Sequence, residues 1–164
     1  MCIRDRIKSE IDFLNLLKAS EIPVSYPIED NLQGYIQTIK APEGKRYGVL
    51  FSFAPGEKTA DISNDLHHKI GALMAQMHQE SQGLNLDRTQ YDEQTLIHQP
   101  LEAISKFLSA DSDEMKWLKA RQKELTAIFS TINMVEVRTG TVHLDFWYDN
   151  LNITEDEGLS LIHI

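Results

Sequence analysis

Residues 140–153 read Gly-Thr-Val-His-Leu-Asp-Phe-Trp-Tyr-Asp-Asn-Leu-Asn-Ile, and the side chains best suited to chemistry gather there. Asp145 is followed five positions later by Asn150, and His143 lies two residues before it. A positioned carboxylate can accept the proton of an attacking hydroxyl, and an amide oxygen is a neutral ligand that a hard Mg²⁺ ion takes. The pair therefore suits phosphoryl transfer, which needs little covalent help and much positioning. Thr141 and Val142 form a short β-branched lead-in, and residues 151–154 alternate apolar and polar, so the stretch predicts strand, tight loop, strand.

The segment HLDFWYDN, residues 143–150, resembles the catalytic loop of the aminoglycoside phosphotransferase and choline kinase group of kinase-like enzymes. The usual form there is His-Gly-Asp with an Asn five residues after the Asp. Leu144 stands where that group usually has Gly, and residues 146–149 replace a small, Gly-containing spacer. The resemblance implies ATP- and Mg²⁺-dependent transfer of a γ-phosphate to a hydroxyl of a small molecule or a protein. In that scheme Asp145 is the catalytic base, Asn150 ligates Mg²⁺ and His143 braces the loop. The same resemblance implies that Glu10, just before a Pro-containing strand, pairs with a phosphate-binding lysine on an earlier strand. It implies as well that the backbone of Ser52 and Ala54 meets the adenine edge.

The elements that must position this loop follow from apolar spacing. Residues 7, 11, 14 and 17, widened by Phe13 and Leu16, predict a helix over 7–20 that ends before Ile22-Pro23-Val24. Runs at 34–40 and 46–53, joined by Ala41-Pro-Glu-Gly-Lys45, predict a hairpin and a strand that breaks at Ala54-Pro-Gly56. Ile62, Leu66, Ile70, Leu73 and Met77 share one face of a helix over 62–82, with Asp61 as N-cap and Gly83 as stop. Pro100 opens a helix over 101–108, and Asp111 or Ser112 caps another reaching about residue 133. In that last helix Leu118, Leu125, Ile128 and Ile132 have core spacing, and Trp117 and Phe129 read as packing residues. His67, His68 and His78 lack a ligand pattern and read as surface residues.

Strands first and helices second indicate α+β. With the resemblance, this is a partial two-lobed protein-kinase-like fold: a partial N-terminal lobe and hinge over 7–56, and a partial helical C-terminal lobe over 57–158.

The two ends predict something else. Residues 1–6 can be encoded by ATGTGTATAAGAGACAGR and residues 159–164 by CTGTCTCTTATACACATC, which are reverse complements apart from the outermost bases. This resembles the transposon end used in library preparation, so both hexapeptides are expected to be adapter translation flanking a fragment. Cys2, the single cysteine, then supports no disulfide, and His163 is discounted. Such a fragment, without the lysine and a second metal-binding aspartate, is expected to be inactive by itself.

A net charge of −9 argues against nucleic-acid binding, and the absence of a long apolar run or signal peptide predicts a cytoplasmic protein without a membrane partner. Two other functions fit the residues. One is a catalytically inactive kinase-like module that binds nucleotide or a partner. The other is a metal-dependent hydrolase with His143 and Asp145 as ligands, which needs at least one further His or carboxylate.

Overall fold

The computed structural model describes residues 3–162, so Cys2 and His163 lie outside the described residues. The chain forms two compact units, one of residues up to 87 together with those from 139 onward, the other of residues 88–138.

In the first unit, helix α1 (Ile3–Ala19) presents Ile11, Phe13, Leu14 and Leu17 to the interior, as the apolar stripe requires. Strands β1 (Gln37–Ala41) and β2 (Gly44–Gly48) form an antiparallel hairpin in which Ala41 opposes Gly44. They are shorter than the runs that predicted them. Beyond β2 the chain pairs again, at Phe51, with Pro27. Helix α2 (Asn64–Glu80) buries Leu66, Leu73 and Met77. Its N-cap is Ser63, whose hydroxyl accepts the Leu66 N–H at 3.1 Å, and not Asp61. Asp61 is held one turn earlier, where its N–H donates to Thr59 Oγ1 at 3.1 Å. Past the helix end, Gly83 takes φ +75°, the left-handed conformation expected of a residue that stops a helix.

Strands β3 (Leu151–Ile153) and β4 (Leu159–Leu161) complete this unit as an antiparallel hairpin, Leu151 opposite Leu161. The expectation about the two termini concerns their origin. In the structure, residues 3–6 form the first turn of α1 and residues 159–161 are β4. Leu151 and Leu161 are fully buried in one cluster with Phe13, Leu17, Val24 and Met77, so α1, α2 and the hairpin share a core. Backbone bonds reinforce it: Leu161 N–H donates to Pro23 O at 3.0 Å, and Ser25 N–H to Leu161 O at 2.8 Å.

The linker between β2 and α2 is pressed against β3. Glu57 and Ile153 exchange both backbone hydrogen bonds, at 3.0 and 2.9 Å. Gly56, at φ +94°, lies so close that a Cβ there would sit 2.5 Å from the Ile153 carbonyl carbon. The other end of the hairpin is tied to α2, where Lys69 Nζ meets Glu157 Oε2 at 2.8 Å and Ser63 Oγ donates to Glu157 Oε1 at 3.4 Å.

The second unit holds a π-helical turn (Gln94–His98), helix α3 (Gln99–Ile104) with Pro100 in its first turn, and helix α4 (Asp113–Phe129). Ser112 caps α4 by accepting the Met115 N–H at 3.1 Å. His98 links the turn to α4: Nε2 meets Glu93 Oε1, and Nδ1 meets Gln122 Nε2, both at 3.0 Å. The sequence predicted a longer α4 with a buried stripe. Instead Trp117, Leu125, Ile128 and Ile132 are exposed, at 62%, 49%, 54% and 42%, while Met115 is the buried residue. Periodicity identifies residues that share a face, but not what covers that face.

Two outcomes follow. Gly56→Ala combines strained φ with backbone overlap and should lower stability by about 3 kcal/mol, read as a reduced urea midpoint. The Glu157 carboxyl is held below the ordinary glutamate range, first by the hydrogen bond from Lys69 and then by its charge. A lowered folded pKa adds stability above the unfolded value and loses it as pH falls through the folded one. Urea midpoints of the wild type and Glu157→Gln should therefore differ at neutral pH and converge in acid, and salt should shrink the difference.

Candidate active site

The segment entering the loop is fixed from α2. Ser81 is fully buried and its hydroxyl donates to Thr141 O at 2.8 Å. Gly140 packs against the Ser81 carbonyl, where a Cβ would approach to 2.9 Å. Phe146, inside the loop, is partly buried against the shared core and stands edge-on to His143, ring centroids 5.6 Å apart.

Between these anchors the loop turns sharply. Asp145 N–H donates to His143 Nδ1 at 3.2 Å, and Trp147 N–H to Asp145 O at 3.0 Å. A 3₁₀ turn (Tyr148–Asn150) then delivers Asn150 back beside Asp145. The Asn150 amide nitrogen donates to the Asp145 backbone oxygen and to Asp145 Oδ2, each at 2.9 Å. The aspartate and asparagine that the sequence singled out are thus in direct contact, with His143 bonded to the same turn.

These two bonds occupy the Asn150 amide nitrogen, and neither Asn150 Oδ1 nor Asp145 Oδ1 accepts a hydrogen bond from the described residues. A carboxylate oxygen and an amide oxygen on neighbouring side chains are donors of the type that a hard divalent cation takes. No group of three or more His, Cys, Asp or Glu that could enclose a metal by itself occurs among the described residues.

His143 and Asp145 line a cleft of about 440 Å³ with Glu10 and Leu14 of α1, and with Ser25, Phe51 and Ile162. Glu10 thus reaches the same cavity as the loop from 135 residues away in sequence. Ser52 lies beside this wall, with its N–H given to Tyr26 O and its C=O accepting from Ser25 Oγ at 2.7 Å. Ala54 O accepts from Asn152 Nδ2 at 2.9 Å. Of the four backbone groups of Ser52 and Ala54, the Ala54 N–H is the one with no acceptor among the described residues.

A sequence profile described as the phosphotransferase enzyme family matches residues 4–162, nearly the whole chain and with it every residue of this loop and cleft. The chain belongs to that family. The uncharacterized protein sll1119 of Synechocystis sp. is 32% identical over 149 residues, which are 84% of this chain and 41% of that protein. Among solved structures, amicoumacin kinase hAmiN in complex with AMP-PNP, Ca²⁺ and Ami is similar, with a TM-score of 0.67 and 20% identity. That similarity covers 96% of this chain and 46% of the kinase chain. The mixed helix and sheet architecture is accordingly that of a kinase-like fold, and the chain spans less than half the length of either protein.

One residue of the loop departs from unstrained backbone geometry. Leu144 adopts φ +63°, the left-handed region, at the position where the resemblance led us to expect Gly. A leucine there costs roughly 1–2 kcal/mol, and its side chain is 67% exposed, so little burial offsets the strain. Leu144→Gly should raise stability by about 1 kcal/mol, measured as an increased urea midpoint at unchanged m-value.

Proposed function

We propose that this chain carries the catalytic hairpin and the nucleotide-side wall of an ATP- and Mg²⁺-dependent phosphotransferase that modifies a hydroxyl. The observation that carries the proposal is the paired hydrogen bond from the Asn150 amide to Asp145 at the edge of a cleft that Glu10 also lines. Asp145 accepts the proton of the acceptor hydroxyl as its oxygen bonds to the γ-phosphorus, and the bond from that phosphorus to the bridging oxygen breaks to leave ADP. Asn150 holds Asp145 in the orientation this requires, and its Oδ1, which accepts no hydrogen bond from the described residues, would ligate Mg²⁺. The cation, when bound, offsets negative charge on the phosphates. Glu10 would orient a phosphate-binding lysine, and the Ala54 N–H would meet an acceptor on the adenine edge.

The amicoumacin kinase complex holds AMP-PNP, Ca²⁺ and Ami, which supports extending this reading to a small-molecule acceptor. A hydrolase that uses His143 and Asp145 as metal ligands is disfavoured, because His143 Nδ1 already accepts the Asp145 N–H and no third ligand gathers there among the described residues.

In the full-length protein, Asp145→Asn should lower kcat by about 10²–10⁴-fold while leaving AMP-PNP affinity within a few-fold of wild type. Steady-state ADP release and equilibrium titration measure the two. Undiminished turnover would remove Asp145 from the mechanism.

A further inference from the structure

Asn152 stands two residues beyond the asparagine assigned to Mg²⁺, and the function proposed above gives it no role. Its side chain crosses to the linker, where Nδ2 donates to Ala54 O at 2.9 Å, a contact spanning 98 residues of sequence. The position it grips is unusual. Ala54 is 8% exposed and precedes Pro55, so the peptide between them has no N–H and presents only its carbonyl. Proline also keeps the preceding residue out of the helical region, which stiffens the linker at this point. Two residues on, Gly56 approaches the Ile153 backbone and Glu57 exchanges both backbone bonds with it.

We infer that Asn152 is a positioning residue: together with the Glu57 and Ile153 pairing, its amide fastens linker residues 54–57 to the catalytic hairpin as one rigid frame. The Ala54 N–H, on the nucleotide side, and Asn150, on the phosphate side, are then held at a fixed separation. A nucleotide that spans both meets a prearranged site and does not have to order the linker. The mechanical part of this inference stands on the contacts alone, and the nucleotide part rests on the kinase reading.

The test uses Asn152→Leu, which keeps volume and loses the donor, and Asn152→Asp, which keeps shape and sets a carboxylate against the carbonyl. Amide hydrogen exchange reads the Glu57 and Ile153 N–H groups, which cross between the two segments. Exchange in both variants should be faster by about tenfold or more, and wild-type exchange at both amides would overturn the inference. Titration of the full-length protein with Mg²⁺ and AMP-PNP, at a temperature where the variants are folded, should give a Kd about tenfold weaker than wild type. In the full-length enzyme KM for ATP should rise while kcat is retained, a split that general destabilisation would not produce. Faster exchange with unchanged AMP-PNP affinity would overturn the positioning role. A wild-type protein that binds no AMP-PNP would remove the kinase reading instead, with exchange still deciding the clamp. Should both variants fail to fold, Asn152→Ser, too short to reach the carbonyl, carries the same expectations.

Discussion

The constraint on which the rest depends is the burial of Leu151. This residue is 1% exposed, opposite a fully buried Leu161, in a cluster that also takes side chains from α1 and α2. Neighbours along an extended chain point to opposite faces. Fixing Leu151 inward therefore turns Asn152 to the opposite face, toward Ala54, while the 3₁₀ turn that ends just before the strand brings Asn150 beside Asp145. A slip of one residue in this strand would turn the Asn152 amide into an apolar interior and expose the leucine. Hydrophobic packing thus sets the register, and the register sets the polar geometry.

The loop combines strong anchoring with local strain. On the entering side, Ser81 and Gly140 hold the backbone against the end of α2, and on the leaving side β3 is bonded to the linker. Leu144 keeps a left-handed conformation between them. Strained residues persist where surrounding structure over-determines them. Here the His143 and Asn150 bonds to Asp145 do so from either side of the bend.

Much of this was legible in the residues. Spacing singled out Asp145 and Asn150 as one pair, and in the structure their side chains are 2.9 Å apart, although no strand forms over Thr141 and Val142 before the loop. The helical stripes of α1 and α2 likewise emerge as the buried faces. The failures share a cause. Asp61 and Ser63 are both good caps, and only the turn made by Thr59 decides between them. Leu125, Ile128 and Ile132 have core spacing and yet are exposed, because spacing contains no information about a neighbour. Asn152 escaped notice because an outward polar residue on a two-faced strand looks ordinary until its distant partner is known. A proline after Ala54 was visible, but the carbonyl it leaves for capture is a tertiary fact.

Anchoring the bend at both its entry and its exit has an effect on association that differs from its effect on folding. A loop that must freeze when a ligand arrives subtracts that ordering from the affinity, whereas one already frozen does not. With Ser81 at one edge and the Glu57 to Ile153 ladder at the other, the conformational entropy of this stretch is lost when the chain folds. Encounter with a ligand then resembles the docking of two rigid shapes.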